Sequence, residues 1–194
     1  MTPPDAAGST SDARRRIVDA GVRCVAREGV TGASMAAIAQ EAGVSKALLH
    51  YHYHDRATLM AEVVERIGDR TVTREAVALE SSSGAAGLDA LWHWLEEELR
   101  LRELAALGEL AFSREGRVRA ASRAVASDRR RRAASSVEWL FTELGLTPRV
   151  PPALMADSVV AFVDGLALDA AVGSSHDPRV SYDVFWLALL GLTE

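Results

Sequence analysis

Cysteine and lysine occur once each in the 194 residues, at Cys24 and Lys46. A lone cysteine closes no internal disulfide, so packing must hold the fold, and Cys24, set among apolar neighbours in a helical pattern, reads as a buried thiol. No uninterrupted apolar run reaches the roughly 18 residues that span a bilayer. The opening MTPPDAAGSTSD lacks the basic and apolar regions of a signal peptide, so a soluble, cytoplasmic protein with no membrane partner is expected. Strand-like alternation bounded by hairpin turns is also missing, which predicts an all-α chain. There is no nucleophile elbow, phosphate-cradling glycine-rich loop, HExxH or paired carboxylate with a supporting base, so no catalysis is expected. No cofactor is implied.

The chain is 48% hydrophobic, ample for a packed interior in one or two domains. Its net charge of −5 argues at first against a polyanionic partner, but the sign changes along the chain. Ser11 to Arg56 carries seven Lys or Arg against five Asp or Glu, plus three histidines, whereas Ala57 to Glu194 carries fifteen against twenty-one. That basic excess is small, so useful affinity for DNA would need two copies on one duplex.

Residues 1–10, rich in Pro, Gly, Ser and Thr, read as a disordered arm. Thr10 or Ser11 can cap a first helix that runs to about Glu28, with Gly29 ending it. Ser34 caps a short second helix, Gly43 makes a turn, and Ser45 caps a third. Asp55 caps a fourth helix that runs to about Glu80, where SSSGAAG interrupts it. Further helices are expected near 87–100, 101–113, 117–144, 152–172 and 178–192, with Gly145 to Pro152 as the clearest linker. The domain division expected from these signals is a helix-turn-helix DNA-binding domain over 11–56, then a helical effector-binding and dimerisation domain over 57–194.

Two short helices around a glycine turn are the layout that puts a second helix in the DNA major groove. Ile38, Ala39, Ala42, Val44, Leu49 and Tyr53 are spaced to close these helices on each other and on the first. Lys46, Ala47, Leu48, His50, Tyr51 and His52 are left on the outer side. Lys46 can reach a guanine edge or a phosphate, Ala47 and Leu48 can touch a thymine methyl, and His50 and Tyr51 can donate to phosphate oxygens. Thr31, Ser34, Ser45 and Arg56 are further candidates for phosphate contact, although the two serines serve equally well as plain helix caps. His50, His52 and His54 lack a partner at ligand spacing, so no metal is expected.

Gly29, Ser34, Ile38-Ala39, Ala42-Gly43-Val44-Ser45, Leu49, Tyr51-His52-Tyr53 and Arg56 to Leu59 resemble the N-terminal signature of TetR-type transcriptional regulators, in order and spacing. The family often has Gly, Tyr, Phe and Lys where Ala47, His50, Tyr53 and Arg56 stand. The resemblance covers about the first 60 residues. It implies a homodimer that binds a roughly palindromic double-stranded operator, mostly as a repressor, and that an unidentified small-molecule effector releases.

Downstream, the 152–172 and 178–192 helices are apolar nearly all round and must be covered on two sides. Both resemble the family's dimer helices. Trp92, His93, Trp94, Phe112, Trp139 and Phe162 are candidates to line an effector cavity, against ordinary core packing for each. Asp164 is a carboxylate in an apolar helix, read either as a ligand contact or as the partner of an arginine. Arg129 to Arg132 and Glu96 to Glu98 are consecutive, so their side chains radiate as solvated, partly paired charges. The alternative to a DNA-binding regulator is a helical small-molecule-binding or interaction protein without DNA binding.

Overall fold

A computed structural model describes the backbone of residues 6–193 and the side chains of residues 11–193. Among these the chain is helical with no strand; one isolated antiparallel bridge pairs Pro148 with Thr193. The helices are α1 (Ala6–Gly32), α2 (Met35–Glu41), α3 (Lys46–His52), α4 (Arg56–Glu80), α5 (Ala86–Leu101), α6 (Glu103–Ala111), α7 (Gly116–Glu143), α8 (Pro152–Ala171) and α9 (Pro178–Leu190). The all-α expectation holds. α1 starts ahead of the Thr10 or Ser11 cap: residues 6–10 of the expected arm form its first turns, in keeping with the helix propensity of alanine at 6 and 7. Residues 1–5 of that arm lie outside the described residues. None of the described helices is long and apolar enough to cross a membrane.

The chain divides into two compact units. The first runs through Ile67 and takes in Ala106–Arg123. It is wider than the 11–56 span drawn from turn signals because a three-helix motif cannot bury its own apolar faces: Leu59, Met60, Val63, Val64 and Ile67 of α4 are buried with Ile17, Ala20 and Cys24 of α1, Ile38 of α2 and Leu49 of α3.

The second unit comprises Gly68–Ala105 and Ala124 onward, so α4 and α7 each contribute to both units. Its interior includes Leu91 and Leu95 of α5, Leu140 and Phe141 of α7, Met155, Ala156 and Val160 of α8, and Trp186 of α9. α4 and α7 approach closely at Gly68, where a Cβ would fall 2.6 Å from Val125 Cγ1. The two charge runs part company here. Arg130 and Arg131 pair with Asp157 and Asp128 as solvated, partly paired charges should, whereas Arg129 pairs with Asp164 from a nearly buried position, which the expectation of solvated charges did not foresee. Glu98, expected to be solvated, is instead fully buried: Arg74 of α4 reaches it at 2.9 Å and also binds Glu103 at 2.8 Å, while Arg70 reaches Glu103 at 3.5 Å, so guanidinium groups compensate both carboxylates.

Candidate nucleic-acid interface and ligand cavity

α2 and α3 owe their shortness to their caps. Ser34 Oγ accepts from Ala37 N–H and Ser45 Oγ from Leu48 N–H, each at 3.1 Å, starting the two helices. Gly43, at φ 64°, ends α2 in the left-handed region, and the amides of Gly43 and Val44 close on the carbonyls of Gln40 and Ala39. The turn therefore fixes the angle between the helices through backbone geometry alone.

Leu49 is the buried residue of α3 and fixes its rotation. Lys46, Ala47, Leu48, His50 and Tyr51 are exposed, Tyr51 at 71%. No carboxylate pairs with Lys46 among the described residues. Carboxylates on either side are already engaged: Glu41 accepts from Arg23 at 2.7 Å and from Arg27, which hold it below the usual carboxylate range, and Asp55 caps Thr58 N–H at 2.7 Å. The outer face of α3 thus carries a lysine, polar rings and small apolar groups without a competing negative charge.

Behind that face, buried Tyr53 follows the last turn of α3 and donates to Glu62 Oε2 of α4 at 2.6 Å, while Arg14 of α1 also binds Glu62. Burial, with Glu62, pushes the phenol well above its ordinary value, so it stays a neutral donor. The sequence offered no sign of this triad, since Arg14 and Glu62 are spaced like any charges on amphipathic helices.

The other proposed contacts are less uniform. Thr31, Ser34 and Ser45 are exposed. His52 is half-buried, edge-on to Tyr51 at 5.3 Å, with Nε2 enclosed. Arg56 Nη2 donates to the Val30 carbonyl at 2.6 Å, so its guanidinium braces the end of α1 against the start of α4.

The second unit holds a cavity of about 40 Å³ among α4, α5, α7, α8 and α9. Its walls are mostly apolar: Trp94, Leu95, Phe162, Tyr182, Phe185 and Trp186 contribute, and Phe162 stacks on Phe185 with centroids 4.1 Å apart. The charged lining residues are Glu75 and Arg129. Ser136 donates to Glu75 Oε1 at 2.7 Å. Burial raises the Glu75 carboxyl above its ordinary value, against the pull of Ser136, Arg129 and Arg132. Glu75 and Ser136 also line an adjoining groove with Glu80, Arg132 and Trp139.

Of the expected cavity residues, Trp94 and Phe162 line it. Trp92 does not; it packs edge-on to Tyr182 beneath the Arg179 guanidinium. His93 lies in a groove between α4 and α5, and Trp139 in the groove beside Glu75. Phe112 is 89% exposed just past the end of α6, belongs to the first unit, and lines no part of the cavity. Asp164 is not a buried carboxylate: it lies on the outer face of α8 and accepts from Arg129 at 2.6 Å, the arginine-paired reading. Among the described residues, no three His, Cys, Asp or Glu side chains group as metal ligands.

Residues 17–63 match the profile of bacterial regulatory proteins of the tetR family. The HTH-type transcriptional regulator BetI of Agrobacterium fabrum is 28% identical over 183 residues, spanning 91% of this chain and 87% of that protein. A TetR transcription regulator of Haloarcula marismortui superposes with a TM-score of 0.77 at 19% identity, over 95% of this chain and 100% of that one. A Saccharomonospora viridis protein solved in complex with choline gives 0.69 at 18% identity, over 95% and 99%.

Proposed function

Because residues 17–63 match the tetR-family profile and the chain resembles a TetR-type regulator along most of its length, we propose that it is a transcriptional regulator of that family that binds a roughly palindromic operator as a homodimer, acts as a repressor, and is released by a small molecule bound in the second unit. The observation that carries the DNA-binding part is the outer face of α3, where Lys46, Ala47, Leu48, His50 and Tyr51 stand together with no carboxylate set against phosphate. Thr31, Ser34 and Ser45 would add phosphate contacts at helix starts, with His52 at the margin. Arg56 would act mainly by holding α4 in place, through its bond to Val30.

Dimerisation is supported by an apolar face on α8 and α9. Leu154, Leu168, Val172, Val180, Val184 and Leu187 are exposed, Leu168 at 63% and Leu187 at 72%. A second copy covering these residues by two-fold symmetry would remove them from water and supply two reading heads. The cavity among α4, α5, α7, α8 and α9 is the place for the effector, and the choline complex of a protein with the same fold supports a small-molecule ligand. An effector that favours the DNA-incompetent state lowers operator affinity by linkage, by about 1–3 kcal/mol in typical cases.

The test is to select bound fragments from genomic DNA and measure affinity by gel shift against salt. Lys46→Ala should weaken binding and lower the salt slope by about one per protomer, and Tyr51→Ala should weaken binding, both with unchanged circular dichroism. Unchanged affinity in both variants would remove α3 from the interface.

A further inference from the structure

Glu75 is out of keeping with its surroundings. It projects from α4 into a cavity walled by Trp94, Phe162, Tyr182, Phe185 and Trp186, where a carboxylate loses hydration and finds little to replace it. Its one hydrogen-bond partner among the described residues is the neutral Ser136 hydroxyl. The charged groups facing it are Arg129 and Arg132 of α7 and Glu98 of α5. Arg129 is committed elsewhere, because its guanidinium holds Asp164 at 2.6 Å. Counting that pair as neutral, Glu75 is the charge left in the lining of the cavity itself, with Arg132 facing it from the adjoining groove, and the remaining lining is chiefly aromatic and aliphatic.

Aromatic faces and a desolvated carboxylate share one preferred guest. The ring quadrupoles attract positive charge, and the carboxylate gains most from a cation that sheds its own water easily. A metal ion or a primary ammonium holds its hydration and asks for several oxygen ligands or acceptors, which this wall does not offer. A cation whose charge is spread under alkyl or aryl groups asks for none.

We propose that the effector cavity is selective for hydrophobic organic monocations, with Glu75 as the charge-recognising residue. This rests on the reading of the cavity as the effector site. The adjoining groove shares Glu75 and Ser136 with the cavity, so the carboxylate borders both, and Glu80 there is a second carboxylate beside Arg132. At about 40 Å³ the cavity holds waters rather than an organic molecule, so such a guest must part the helices that wall it. Binding therefore selects a widened state, the differential affinity that release from DNA requires.

Two isosteric probes separate charge from shape: phenyltrimethylammonium and the neutral tert-butylbenzene, which replaces nitrogen by carbon. Binding is followed by the fluorescence of Trp94 and Trp186, with near-ultraviolet circular dichroism as a check on folding. The cation should bind the native protein about tenfold or more tighter than the hydrocarbon. Glu75→Gln, which keeps an acceptor for Ser136, should abolish that preference and leave hydrocarbon affinity unchanged. Equal affinities in the native protein, no binding of the cation, or a preference that survives Glu75→Gln would each overturn the proposal. The wider reading fails on a different result: no compound of any charge class, in a broad screen, alters operator affinity.

Discussion

Ser45 answers to two demands at once. Its hydroxyl oxygen caps α3 through Leu48 N–H, and its exposed position at the start of that helix makes it a candidate phosphate contact. Two substitutions separate the roles. Ser45→Ala should lower stability by about 1 kcal/mol through the lost cap, whereas Ser45→Asp should keep the melting temperature while DNA affinity collapses, since a carboxylate caps well but repels phosphate. An aspartate variant that binds DNA normally would place Ser45 outside the interface. Glu75 yields a prediction from protonation. Burial raises its folded value above the ordinary 4.5, so the folded chain holds this proton more tightly than the unfolded chain. The carboxyl therefore opposes folding increasingly as pH rises from 4.5 through the folded value, and fully above it. Glu75→Gln should accordingly melt higher than the native protein at pH 7, with the difference shrinking toward pH 4; a difference that ignored pH would contradict the desolvation argument. Neither this residue nor the Tyr53–Glu62–Arg14 triad was legible in the sequence. A glutamate directly after an arginine on a long helix reads as a solvated charge, and only the convergence of other helices makes it otherwise.

The elements themselves were largely legible, for local reasons. Ser34, Ser45 and Asp55 announce helix starts by chemistry confined to three residues, and the observed bonds to Ala37, Leu48 and Thr58 run over that distance. Gly43 and Gly145 end α2 and α7 at positive φ. Side-chain destinations were harder. Phe112 looked like cavity lining as one of few aromatics, yet α6 ends at Ala111 and leaves it on the surface. The α4–α7 approach was equally invisible, because Gly68 lies in mid-helix with no turn to explain it. A Cβ there would meet Val125 Cγ1 at 2.6 Å and Cγ2 at 2.9 Å. Valine has essentially one rotamer in a helix, so it cannot swing away. Gly68→Ala should thus destabilise by about 1–3 kcal/mol, outweighing the roughly 1 kcal/mol that alanine gains in helix propensity. Adding Val125→Ala should recover most of the loss in denaturant melts; additive losses would mean the two residues do not compete for space.

For the molecule as a whole, the exposed apolar face of α8 and α9 sets the expectation. Replacing Leu168 and Leu187 together with Asp should give a monomer by light scattering, because two carboxylates per copy would have to be buried at the proposed interface. The same variant should bind an operator about a hundredfold more weakly or worse, having lost its second head. Tight binding by the monomer would reject the two-headed account. The all-round apolar pattern of both helices foretold this face, whereas the cavity depends on five helices whose meeting no periodicity reports. One last consequence concerns length. α4 is unbroken from Arg56 to Glu80, and it sends Leu59, Val63 and Ile67 into one interior and Thr71 and Glu75 to the wall of another. Each added or deleted residue would turn everything beyond it by about 100° and shift it by about 1.5 Å. Between Ile67 and Thr71 a surface residue such as Asp69 can therefore be substituted, but the residue count cannot change without moving Thr71 and Glu75 off the cavity wall.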